Sequence, residues 1–390
     1  MASKDLISFF TINILCFVLA WLLVRSSRFY GQMPEGGAPG RMPMVDGLRG
    51  WLALGVFFTH AQSMHSLFAN GRWGGALPGL FGMTGEIGVS LFFMITGFLF
   101  WGRVLRSGPA LNVETLYTSR LRRIVPMYLV SVAMSLAVVA ALSEFTLQVS
   151  PMSLVKELRA WLSFGYLNAG EINGVKDAHY INAVYWTLAF EWSFYISLPL
   201  LAVLARGWRS YALFPVAFVF CLQVPVTLNF VAGALVALLS HKNLIGEQLK
   251  APALAPLPLA SLAAVFMFPS TFALAPVALL FVFFLFVAGG NSLFGLLGSR
   301  PAKLLGTISY SIYLTHCVVL YALVFVVNAY LPIASMAFYE YWGVAAVAAA
   351  ICVLISATTY RYVEFPFIVS PQAIQRPDYK PFDGLVDARR

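Results

Sequence analysis

The sequence predicts an all-α, polytopic integral membrane protein, and three observations carry that prediction. The chain of 390 residues is 60% hydrophobic and only 11% charged, whereas soluble domains carry about a quarter of their residues as charges. Apolar stretches of about 17 to 25 residues, long enough to cross the hydrocarbon core as helices, recur along it. The basic residues fall almost wholly between alternate stretches, the arrangement that holds loops in the cytoplasm.

Taken in order, the first stretch is 6–24. One Lys precedes it, Arg25 and Arg28 follow it, and no small-residue cleavage site is present, so it reads as a retained helix rather than a signal peptide. The Gly/Pro-rich run Gly31-Gln-Met-Pro-Glu-Gly-Gly-Ala-Pro-Gly40 then separates it from a self-contained core. Spans follow at 48–68, 86–102 and 124–142. The longest segment predicted to lie outside, 143–183, contains Trp161, Asp177 and His179 and has room for a short interfacial helix. Further spans are predicted at 184–205, 210–223, 226–240, 253–268, 272–288, 304–328 and 339–363. The crowded region 210–288 also parses with one helix more or fewer. After Pro366 the chain is polar and too short to fold alone.

Charge sets the orientation. With the N-terminus outside, the cytoplasmic segments hold all Lys and Arg except Lys4, Arg72, Lys156, Arg159 and Lys176, a ratio of about four to one that predicts N-out and C-in. The same bias explains the net charge of +9 without nucleic acid. Phe, Tyr and Trp number 33, 17 and 9, a load suited to lipid-facing helices and interfacial anchors. Cys16, Cys221, Cys317 and Cys352 sit in apolar runs with no metal-ligand spacing, so neither a metal site nor a disulfide framework is expected.

Ionisable groups inside a span cost roughly 2.5 to 3.5 kcal/mol on insertion scales and ask for a reason. In Asp46-Gly-Leu-Arg-Gly-Trp-Leu-Ala-Leu-Gly-Val-Phe-Phe-Thr-His60, Arg49 and His60 are separated by close to three helical turns. They therefore share a face about 16 Å apart, and Asp46 lies within pairing reach of Arg49 if the helix starts that early. His60 suits a general base; it is equally readable as a structural histidine bonded between helices. Glu191 is either a partner that orients His60 or half of a buried ion pair. His316, after Ser309-Tyr-Ser-Ile-Tyr313, reads more simply as a hydrogen bond to a neighbouring helix than as a catalytic group. Arg103, Arg106, Arg120, Arg122 and Arg123 crowd one predicted cytoplasmic loop. Guanidinium groups bind phosphate through paired donors, so the cluster is either a site for a phosphorylated cofactor or topology charge.

These residues fall in ordered blocks. Asp46 to Gly50 opens an Arg-x10-His pair, and Gly88-Val-Ser-Leu-Phe-Phe-Met-Ile-Thr96-Gly-Phe98 follows, with Thr96 where a Ser is usual. Then come Arg120-Leu-Arg-Arg-Ile-Val-Pro126, Trp186-Thr-Leu-Ala-Phe-Glu191, Ser309 to His316, and Tyr362-Val-Glu-Phe-Pro366. In that order they resemble the acyltransferase 3 family of membrane O-acyltransferases, which modify bacterial surface polysaccharides. The match runs over about 43–365.

The resemblance implies a ten-helix acyltransferase core at 43–365. To it are added one extra transmembrane helix with its linker at 1–42 and a short cytoplasmic tail at 366–390, all in the bacterial inner membrane. It implies transfer of an acyl group, by default acetyl, from cytoplasmic acyl-coenzyme A to a hydroxyl of an exported or cell-surface carbohydrate. His60 is then the catalytic residue, with Arg49, Asp46 and Glu191 around it. Arg120, Arg122 and Arg123 contact the donor, and His316, Tyr313 and Thr96 are further candidates. The expected partners are the carbohydrate and membrane lipids, with no metal and no nucleic acid; oligomeric state is open. The rival reading is a transporter or flippase of a lipid-linked saccharide, in which the buried polar groups bind without chemistry.

Overall fold

The computed structural model describes residues 2–32, 42–74, 79–107, 111–205 and 209–368. Most of the Gly/Pro-rich linker and nearly all of the tail lie outside these residues. The regular structure among the described residues is helical, with one isolated bridge between Ile172 and Val175. Helix α1 (Ala2–Ser26) leads through the short α2 (Arg28–Gly31) to α3 (Pro43–Asn70), α4 (Leu80–Ser107) and α5 (Val113–Leu142). The long segment that follows holds α6 (Pro151–Trp161) and a 3-10 turn at Ala178–Asn182. Next are α7 (Trp186–Leu204), α8 (Arg209–Cys221), α9 (Leu228–His241), α10 (Pro256–Val265) and α11 (Leu274–Ala288). The chain closes with α12 (Arg300–Thr307), α13 (Ser309–Tyr330), α14 (Phe338–Thr359), a π-helical turn at Tyr360–Glu364 and α15 (Phe365–Ile368).

Each predicted span overlaps a helix, but among the described residues six helices are long and apolar enough to cross a membrane, and those in 210–288 are shorter apolar helices. One prediction needs refining. The apolar run 304–328 is two helices, because the chain breaks at Ile308, where the Ser309 hydroxyl donates to Gly306 O at 2.8 Å.

Local chemistry starts several of these helices where they are needed. Pro43 stands in the first turn of α3, where a missing N–H costs nothing. Asn112 caps α5 by accepting from Thr115 N at 2.8 Å, and Ser299 caps α12 by accepting from Ala302 N at 3.3 Å. Because α3 begins before Asp46, Asp46, Arg49 and His60 all lie on one uninterrupted helix.

Helix α3 packs against α4, α12 and α13, α4 against α9, and α1 against α12 and α14. The approach of α3 to α12 depends on glycine. A Cβ at Gly50 would lie 2.9 Å from Ala302 O, and one at Gly306 would fall inside the backbone of Asp46. The glycines of the Asp-Gly-Leu-Arg-Gly block thus bring two backbones together and hold Arg49 against the bundle.

The bundle has two chemically different ends. Arg49, Arg103, Arg120, Arg300 and Arg361 lie where α3, α5 and α12 begin and where α4 and α14 finish. We call this the arginine end. At the far end α3 finishes, α4 and α14 begin, and α1 starts with Lys4 and Asp5.

Candidate active site

At the arginine end, α3, α4, α5, α7 and α13 enclose a cavity of about 230 Å3. Three guanidinium groups line it, from Arg49, Arg120 and Arg123, together with Thr96, Glu191 and Tyr313. The Arg120 guanidinium lies 5.0 Å from the centroid of the Phe100 ring, and its buried Nε has no partner among the described residues. Tyr195 donates its hydroxyl hydrogen to Glu191 Oε1, which places this carboxylate in the arginine-lined cavity. Tyr310 is pinned by donating to Ile124 O at 3.1 Å.

A second carboxylate stands behind the arginines. Glu364 is fully buried on the π-helical turn, takes the Ser311 hydroxyl hydrogen on Oε1, and has Arg123 and Arg49 as its cationic neighbours. Its Oε2 has no partner among the described residues. Turns of this kind occur often at functional sites. Sequence reasoning recorded Glu364 only as part of a motif.

The histidines form a separate feature, deeper along α3. His316 Nε2 and His60 Nδ1 are 3.0 Å apart, although 256 positions separate the residues in sequence. His316 Nδ1 is also 3.0 Å from Ile312 O, and His60 Nδ1 is 3.0 Å from Val56 O. A carbonyl oxygen only accepts, so each Nδ1 carries a hydrogen. With both rings uncharged, His316 Nε2 is then the acceptor, and the His60 Nδ1–H is shared between it and Val56 O. The remaining nitrogen, His60 Nε2, bears a lone pair.

Cys317 Sγ lies 3.5 Å from His316 Nε2, and among the described residues these three side chains form a group compact enough by distance for a metal ion. His60 Nδ1 is engaged with Val56 O and His316 Nε2, both at 3.0 Å, and the two imidazoles form a hydrogen-bonded pair.

Tyr313 joins the two features. It lines the cavity, its ring centroid is 6.1 Å from that of His316, and its hydroxyl bonds Thr187 Oγ1 at 2.8 Å. On the other side His60 faces Trp73, at 6.0 Å between ring centroids, and Trp73 stacks on Tyr180 at 4.6 Å. Tyr180 comes from the long segment after α5. That segment is anchored by Asn182, whose amide donates to Ser131 Oγ at 2.6 Å and to Leu314 O at 3.0 Å.

The predicted residues therefore divide into groups. Arg49, Arg120, Arg123, Glu191, Thr96 and Tyr313 share the cavity. His60 and His316 share a hydrogen bond. Asp46 lies one turn before Arg49 on α3 and is among the charges that act on it. Arg122 is exposed and outside the cavity lining. The partner that sequence reasoning gave to His60 was Glu191; the structure puts His316 there.

The fold is thus that of a many-helix membrane protein with a guanidinium-lined cavity at one end and a buried imidazole pair beyond it. Residues 43–361 match the family described as Acyltransferase domain, and the chain belongs to that family. It is 31% identical to Acyltransferase MdmB of Streptomyces mycarofaciens over 172 residues, 43% of this chain and 40% of that protein. It is 29% identical to Nodulation protein 10 of Rhizobium leguminosarum bv. viciae over 174 residues, 42% of this chain and 45% of that one. The chain thus spans less than half the length of these curated relatives. No solved structure matches it.

Proposed function

We propose that the protein transfers an acyl group, by default acetyl, from acyl-coenzyme A bound at the arginine end to a hydroxyl of a carbohydrate, with His60 as general base. The observation that carries this reading is the hydrogen-bonded series Ile312 O, His316, His60, which with neutral rings leaves a lone pair on His60 Nε2. Nε2 takes the hydroxyl proton as the oxygen attacks the thioester carbonyl. The new C–O bond forms, the C–S bond breaks, and the departing thiolate takes the proton back from His60.

The spacing of the site supports a donor of this shape. Arg49 and His60 are separated by eleven positions on one continuous helix, about 16 Å along its axis. That span suits a ligand with phosphates at one end of an extended arm and a reactive carbonyl at the other. Arg120 and Arg123 of the cavity meet the phosphates, and the tip of such an arm passes Tyr313 toward the histidine pair. In this arrangement Arg49 and Glu191 act on the donor, and His316 orients the base. The chain's charge bias supports an arrangement in which the arginine end faces the cytoplasm, where acyl-coenzyme A is found.

The test is mass spectrometry of exported carbohydrate from cells expressing wild type or His60→Ala at matched membrane levels. Loss of an ester-linked acyl group in the variant is expected. Unchanged acylation would remove His60 from the chemistry and favour a carrier of lipid-linked saccharides.

A further inference from the structure

A second, larger cavity of about 1190 Å3 opens at the far end, and its lining shares no residue with the arginine-lined cavity. Five elements meet there at corresponding ends: the start of α1, the last turns of α3, the first turns of α4, the chain after α10 and the start of α14. Its wall mixes two chemistries. Phe338 supplies a half-buried aromatic ring, backed by the buried rings of Phe81 and Trp342, which pack at 4.4 Å between centroids. Gln62, His65 and Glu86 supply hydrogen-bonding groups. Glu86 is held by one oxygen: its Oε2 accepts from Ser270 Oγ and Thr271 N, both at 2.7 Å.

Helix α1 closes one side with Lys4 and Asp5, and Lys4 Nζ lies 5.9 Å from the Tyr339 ring centroid. The cavity also touches the machinery already described, because Thr59 and Gln62 of its wall lie on the same turn of α3 as His60.

We infer that this cavity binds the carbohydrate acceptor, seating sugar rings between the Phe338 face and Gln62, His65 and Glu86, with α1 as one wall of the site. The inference rests on the acyl-transfer reading above. Sugar rings present C–H faces to aromatic surfaces and hydroxyls at their edges, and this wall offers both kinds of partner. A lipid chain would leave Gln62, His65 and Glu86 without use. The charges argue for a neutral ligand: Lys4 stands among Asp5 and Glu86, whereas the phosphate-binding end carries three arginines.

Size argues for more than one sugar. The volume of about 1190 Å3 exceeds the roughly 300–1,000 Å3 of ordinary small-molecule sites. An acceptor of several units, anchored here, leaves a neighbouring unit to reach His60 around α3. The extra N-terminal helix thereby gains a task in acceptor recognition.

The test uses full-length His60→Ala protein in lipid nanodiscs, which binds without turnover. The probe is the end-labelled oligosaccharide fraction released by mild acid from the organism's own surface carbohydrate, with binding read by thermophoresis. Adding Gln62→Leu, Glu86→Gln or Lys4→Ala should weaken binding about tenfold each, as expected for loss of one hydrogen bond to a neutral ligand. Glu86→Gln keeps an acceptor oxygen for Ser270 and Thr271, which guards against simple misfolding. Equal binding by all four proteins, or no binding by any, overturns the inference. Labelled acetyl-coenzyme A turnover by His60-intact protein is measured in parallel, so failure of the acyl-transfer reading is seen separately from failure of the acceptor site.

Discussion

The hydrogen on His60 Nδ1 has two acceptors, Val56 O and His316 Nε2, each 3.0 Å away, and this sets the expected order of effects. His60→Ala should lower kcat by at least about 100-fold, the low end of general-base contributions. His316→Ala should cost less, about tenfold, because Val56 O still holds the ring in place. In both variants the KM for acyl-coenzyme A should stay within about twofold if, as proposed, the donor's phosphates bind at the arginine end. A rise in that KM with kcat intact would place the histidines in donor binding instead.

The arginines separate in the opposite sense. Arg120→Ala and Arg123→Ala remove cavity-lining cations and should raise the KM for acyl-coenzyme A about tenfold each, the scale of one charge-assisted hydrogen bond. Arg122→Ala, at an exposed position, should leave it unchanged. Initial-rate kinetics on purified protein checks all three. The sequence had no means of making this division, because three basic residues within four positions look alike until the helix assigns them to faces. His60, Arg49 and Glu191 were legible as costly groups in apolar runs. The pairing of His60 with His316 was not, because it joins helices far apart in the chain. Glu86 escaped notice at the edge of a predicted span, although its charge inside an apolar stretch was the signal that marks such residues.

At the scale of elements, the close contact of α3 and α12 fixes where Arg49 stands, and glycine permits it. A methyl group at Gly306 would fall inside the backbone of Asp46, so Gly306→Ala must push the two helices apart. Overpacking of this kind costs about 1–3 kcal/mol, and the displacement carries Asp46 and Arg49 with it. Thermal unfolding in detergent should show a lower midpoint, accompanied by weaker donor binding. An unchanged midpoint would mean that the helices separate freely there. The placement of helices was readable from apolar length and flanking charge. The break at Ile308 and the π-helical turn at Tyr360–Glu364 were not. Both are changes of local hydrogen bonding within an otherwise helical run, and hydropathy does not register such changes.

For the whole molecule, the two cavities divide the labour only if the arginine end faces the cytoplasm. Three of the four native cysteines are buried and Cys221 is half-buried, so Cys221→Ser gives a quiet background for labelling. Lys156 and Arg122 are both exposed; Lys156 lies in α6, beyond the far end of α5, and Arg122 lies near the opposite end of α5. A membrane-impermeant maleimide should therefore label Lys156→Cys in cells whose outer envelope has been opened, and Arg122→Cys only after the inner membrane is broken. The opposite pattern would turn the protein over. It would put the cavity-lining arginines outside, where acyl-coenzyme A is not supplied, and the donor assignment would fall while the histidine pair and both cavities stood unchanged. The expected pattern would instead give the reaction a direction: thioester in from the arginine end, and ester out on a carbohydrate held at the far end. His60 would stand between them with its free nitrogen as the transfer point.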